Sequence, residues 1–132
     1  MLDISLVLLK NGSVAKILII DDAFEIRVSM EQMLEMEGHE VTLATSAEDG
    51  VNKFRAAPAD IVITDLIMPT PQTGVEAISQ LRIEFPNVRI IAMSGDHEAV
   101  AMLVVAKHLG VSAYLKKPFS SDELLAAIEQ AL

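Results

Sequence analysis

Five short apolar runs, each followed by a longer amphipathic stretch, constrain this chain more than any other feature. The runs lie near 16–20, 40–44, 60–64, 88–93 and 112–116, and the amphipathic stretches near 24–37, 47–56, 75–85, 97–108 and 121–131. Gly, Pro or polar turns separate them. A hydrophobic period that switches this way along the chain is the pattern of repeated βα units around a parallel sheet.

The helical stretches carry their own start and stop signals. Phe24, Val28, Met33, Leu34 and Met36 form the expected apolar stripe of the first, and Gly38 supplies its stop. Ser46, with Asp49 three residues on, reads as the N-cap of the second, and Ser120 or Ser121 as that of the last, where early acids suit the positive helix end. The fourth, around AVAMLVVAKHLG, is apolar over much of its circumference, which fits either a contact face or a buried helix.

At 132 residues the chain fits one domain, expected over 14–132 after an N-terminal extension at 1–13. Hydrophobic residues at 52% against charged residues at 22% favour an ordered globular core over disorder. A formal charge of −9 argues against nonspecific nucleic-acid binding. The absence of cysteine rules out disulfides and cysteine-ligated zinc and fits a reducing, cytoplasmic setting. In MLDISLVLLKNGS the apolar run from Ile4 to Leu9 is too short to span a bilayer, and its start is acidic where a signal peptide is basic. We read it as an extension that packs weakly or frays, with a dimer contact as the alternative.

In open α/β sheets the ligand site lies beyond the carboxyl ends of the strands, where the winding reverses. The first run, ILII, delivers the adjacent pair Asp21 and Asp22; IVIT delivers Asp65; RIIAM delivers Ser94; and AYLK delivers Lys117 before Pro118. Any one of these fits a helix cap, but three carboxylates, a hydroxyl and an ammonium on one rim are hard to attribute to capping. Clustered carboxylates repel one another and call for a compensating charge. Mg²⁺, a hard cation that takes oxygen ligands and keeps several waters, fits them, and Lys117 and Ser94 suit a phosphoryl group.

The motifs IIDD, IVITDLIMP, IIAMSG and YLKKPF, in this order and near this spacing, resemble the receiver domain of two-component response regulators over about residues 15–132. The resemblance implies a chemotaxis-regulator-like fold: a doubly wound (βα)5 flavodoxin-like three-layer sandwich with a parallel five-stranded sheet of order 2-1-3-4-5. It implies that Asp65 accepts a phosphoryl group, that Asp22, Asp65 and the Ile67 carbonyl ligate Mg²⁺, and that Asp21 acts on the ion through water. Ser94 then bonds the phosphoryl group, Lys117 neutralises it, and Tyr114 is the aromatic switch that turns inward as Ser94 moves. The phosphoryl source would be a sensor histidine kinase or a histidine phosphotransfer protein. The readout would be a changed surface on helix 4, strand 5 and helix 5, read by a downstream protein or linked output domain or by a homodimer, with no direct nucleic acid or membrane contact.

Some positions depart from the pattern or qualify it. Gly74 stands six residues after Met68 where the family usually has five, and Pro71 lies in the lengthened loop. Ile67 and Asp96, two residues beyond the phosphoacceptor and the hydroxyl, are expected to influence the lifetime of the acyl phosphate. His39, His97 and His108 read as solvated residues of turns, loops or helix ends, and most phenylalanines as core. A Mg²⁺-dependent phosphohydrolase of the haloacid dehalogenase kind is the enzyme alternative, but it wants an acid two residues after its nucleophile, where Ile67 stands. A flavin-binding module lacks its phosphate-cradling loop here, and a degenerate receiver is disfavoured because every expected side chain is present. No output domain is expected within these residues, leaving a free-standing relay and a receiver from a longer chain both open.

Overall fold

The computed structural model describes residues 14–69, 73–95 and 99–132. The five strands are β1 (Lys16–Ile20), β2 (Glu40–Ala44), β3 (Ile61–Asp65), β4 (Arg89–Ser94) and β5 (Ala113–Lys116). They alternate with α1 (Phe24–Met36), α2 (Ala47–Ala56), α3 (Gly74–Glu84), α4 (Ala99–Leu109) and α5 (Ser121–Ala131). All pairings are parallel, in the order β2-β1-β3-β4-β5. This is the expected doubly wound, flavodoxin-like three-layer fold, with boundaries shifted by a residue or two.

The strand residues divide by parity between two cores, as a pleated strand requires. Ile17, Ile19, Ile61, Ile63, Ile91 and Met93 pack with Met30 and Leu34 of α1 and Leu124 and Ile128 of α5. Leu18, Ile20, Val62, Ile90 and Ala92 face the opposite way, onto Val51 and Phe54 of α2, Ile78 and Leu81 of α3 and Ala106 of α4. Both faces of β1, β3 and β4 are therefore covered, which is why those strands read as unbroken apolar runs. β1 lies between β2 and β3, so the loops leaving β1 and β3 part in opposite directions and open a crevice at their carboxyl ends.

The caps follow their signals. Ser46 accepts the Asp49 N–H, and Ser120 forms a reciprocal capping box with Glu123. Gly38 takes the left-handed conformation just past α1, at φ 86°. Two readings need correction. The buried side of α1 is centred on Met30 and Leu34, whereas Phe24 and Met36, placed in the stripe from sequence, are exposed. His39 is buried rather than solvated, because its Nδ1 accepts the Ala15 N–H at 3.1 Å and seals the start of β1 against β2. His108 is exposed, as expected. The expectations for residues 1–13, Pro71, Asp96 and His97 fall outside the described residues.

Candidate functional site

The sheet gathers the predicted residues at one rim. Asp21 follows β1 directly and is fully buried, its backbone N–H extending the ladder to the Ala44 carbonyl at 3.2 Å. Its Oδ1 accepts the Ala23 N–H at 2.8 Å, leaving Oδ2 aimed across the crevice. Asp22, next in sequence, is exposed at the mouth. Carboxylate oxygens of Asp21, Asp22 and Asp65 all lie within 4.8 Å of one another. These hard, anionic donors at cation-sharing distance fit a Mg²⁺ ion.

Asp65 is the last residue of β3, and the turn that follows fixes its side chain. The Ile67 N–H donates to Asp65 Oδ1 at 3.0 Å, while Leu66 continues the ladder to the Met93 carbonyl at 2.9 Å. The Lys117 ammonium reaches across to donate to Asp65 Oδ2 at 2.8 Å and to Asp21 Oδ2 at 2.6 Å. Lys117 is held in place by its own N–H, which donates to the Ser94 carbonyl at 2.7 Å and so continues the β4–β5 pairing.

Burial pushes the Asp65 carboxyl above its ordinary range; Lys117 and the Ile67 N–H oppose that rise without cancelling it. For Lys117, burial favours the neutral amine, but hydrogen bonds and charge from Asp21 and Asp65 outweigh it and raise the ammonium above its usual value. Lys117 is therefore a fixed positive charge among the carboxylates.

Ser94, at the end of β4, is buried, and its hydroxyl hydrogen-bonds that of Tyr114 on β5. The side chains of the two residues named together from sequence thus meet at the end of the sheet. Ile67, whose N–H holds the Asp65 carboxylate, is 45% exposed. Sequence reading passed over Arg27, whose Nη1 donates to the Asp21 carbonyl at 2.8 Å while its guanidinium lies over the exposed Phe24 ring, 5.9 Å from the centroid. A basic residue one turn into the helix that follows the acidic pair was the available signal.

The family model described as response regulator receiver domain matches residues 17–129, a span that contains every one of these side chains. The chain belongs to the response regulator receiver domain family. This receiver is 30% identical over 116 residues to the chemotaxis protein CheY of Thermotoga maritima, covering 87% of this chain and 95% of that one. It is 28% identical to sporulation initiation phosphotransferase F of Bacillus subtilis, covering 89% of this chain and 93% of the relative. It is 34% identical to the transcriptional regulator NtrC of Azospirillum brasilense over 91% of its own length but only 24% of that protein's. Among solved structures, a receiver domain protein from Clostridium thermocellum superposes with TM-score 0.80 at 32% identity, covering 89% of this chain and 94% of that one. CheY4 of Vibrio cholerae superposes with TM-score 0.82 at 27% identity, covering 91% and 100%. Receiver domains are switches of two-component signalling rather than metabolic enzymes. No helix among the described residues is long and apolar enough to cross a membrane.

Proposed function

We propose that this receiver, taken as residues 14–132, accepts a phosphoryl group on Asp65 from a phosphohistidine donor, on a histidine kinase or a phosphotransfer protein, in a cytoplasmic relay. The observation that carries this is the Lys117 ammonium bridging Asp21 and Asp65 beside a third carboxylate. The Asp65 carboxylate forms a new O–P bond as the donor's P–N bond breaks, and the imidazole leaves with the bonding pair. Lys117 offsets charge on the equatorial oxygens, and Ser94 donates a hydrogen bond to one of them. Asp22 and Asp65, with the Ile67 carbonyl, would hold Mg²⁺ directly and Asp21 through water. The ion, when bound, supplies Lewis-acid stabilisation of the transferring group.

The phosphoryl group adds roughly −1.5 to −2 charges and strong acceptor oxygens, so it draws the Ser94 hydroxyl away from Tyr114. Tyr114 lines a surface cavity of about 210 Å³ with Leu103, Ala106, Lys107, Val111 and Gln130, beside the exposed apolar residues Val100 and Val104 of α4. This contiguity supports the α4–β5–α5 surface as the readout for a downstream protein, a linked output domain or a second copy. Ile67 beside the carboxylate would shield the acyl phosphate from water, so Ile67→Asn should change its rate of decay.

The deciding experiment is incubation with Mg²⁺ and acetyl phosphate, or with beryllofluoride, followed by intact mass and peptide mapping. Modification at Asp65 that disappears in Asp65→Asn is expected. No modification, or its survival in that variant, would sink the proposal.

A further inference from the structure

We propose that Gly74, the first residue of α3, is a positioning residue for the phosphoacceptor turn. A Cβ built on Gly74 would lie 1.7 Å from the Asp65 carbonyl oxygen, 2.7 Å from its carbonyl carbon and 2.9 Å from the Leu66 Cα. All three are backbone atoms, so none can swing aside as a side chain would. Gly74 is not at positive φ, and its need for glycine is therefore spatial rather than conformational. The start of α3 rests directly on the backbone of the residue whose carboxylate does the chemistry.

The contact matters because the same short turn sets three things. It aims the Asp65 side chain, supplies the Ile67 N–H that donates to Asp65 Oδ1, and carries the Ile67 carbonyl. The far side of the turn is already fixed, since Leu66 donates to the Met93 carbonyl and Thr64 Oγ1 donates to the Asp65 carbonyl at 3.0 Å. With β4 behind it, a methyl group at Gly74 must push the turn toward the crevice or push α3 off the sheet. Thr73 caps α3, accepting the Glu76 N–H, and so ties the helix start to this register. The longer loop noted from sequence therefore still delivers its glycine onto the Asp65 backbone.

This inference rests on the phosphoacceptor reading of Asp65, and its test separates the two. Gly74→Ala is compared with Leu81→Ala, which opens a core cavity about two turns further along the same helix and serves as a control for lost stability. Amide NMR shifts are recorded without metal or phosphodonor, followed by Mg²⁺ affinity and the rate of modification by acetyl phosphate. In Gly74→Ala we expect shifts concentrated at Asp65, Leu66 and Ile67, and about a tenfold or greater loss of Mg²⁺ affinity and rate. Leu81→Ala should keep both within about twofold of the parent while folded. If Gly74→Ala unfolds, both variants are measured in trimethylamine N-oxide, which favours the compact state. Parental shifts in that turn, or equal losses in the two variants at matched stability, overturn the proposal. Failure of the parent protein to bind Mg²⁺ or become modified would instead strike the phosphoacceptor reading, leaving the metal-free shifts to decide the role of Gly74.

Discussion

Lys117 donates to Asp21 Oδ2 at 2.6 Å, across 96 positions of sequence, and the carboxylate it meets is fully buried. Removing the ammonium strands that charge, because among the described residues the hydrogen bond left to the Asp21 carboxylate is that from the Ala23 N–H. Lys117→Met should cost roughly 2–4 kcal/mol in urea unfolding at neutral pH without divalent ions. Added Mg²⁺ should then stabilise the variant more than the parent, since the cluster has lost its internal counter-charge. An unchanged urea midpoint would mean that the pair contributes nothing net.

Asp21 and Asp22 are adjacent yet differently placed. Both Asp21 oxygens have protein partners, whereas Asp22 is exposed at the mouth. Asp22→Asn should therefore weaken Mg²⁺ binding more than Asp21→Asn, and Asp21→Asn should cost more stability, by about 1–3 kcal/mol. Calorimetric titration with Mg²⁺ beside thermal melts measures both orders. The reverse order in the titration would exchange their roles.

The Ser94 and Tyr114 hydroxyls are bonded to each other, so a phosphoryl group must compete with Tyr114 for Ser94. Tyr114→Phe removes the competitor. The unmodified protein should lose about 1 kcal/mol, and beryllofluoride affinity should rise by up to about fivefold. A fall in affinity would place the tyrosine hydroxyl on the side of the active form.

His39 makes stability depend on pH. Burial lowers its pKa, and the nearby charge of Glu37 opposes that fall without cancelling it. Its neutral ring accepts from Ala15 through Nδ1, and Nε2 is buried without a partner among the described residues, so protonation would set the Nδ1–H against the Ala15 N–H. The unfolded chain binds the proton more readily, near the ordinary value of 6.5. Stability from His39 is thus fully present above about pH 6.5 and falls as pH drops through 6.5 toward the lower folded value, by at most about 1.4 kcal/mol per pH unit. His39→Gln, whose amide oxygen can still accept from Ala15, should flatten this slope in urea unfolding between pH 7.5 and 5.5, both about one unit from the ordinary value. An identical slope in parent and variant would assign the effect to other groups.

Much of the site was legible because βα repetition fixes where strand ends go. Once ILII, IVIT, RIIAM and AYLK were read as parallel strands, Asp21, Asp22, Asp65, Ser94 and Lys117 had to share a rim. Phe24 and Met36 were misplaced because apolar spacing along α1 does not tell which side of the helix meets the sheet. His39 was misread because a turn position looks solvated until Ala15 is brought against it from 24 residues away.

By itself the sequence determined the alternation of elements, the side chains at each strand end and the caps that start α2 and α5, since these depend on neighbours a few residues apart. Only the tertiary structure decided that Lys117 bridges Asp21 and Asp65, that Ser94 and Tyr114 share a hydrogen bond, and that Gly74 seats α3 on the Asp65 backbone. Those relationships join different strands and helices, and no local periodicity encodes the ångström-scale approach of one backbone to another.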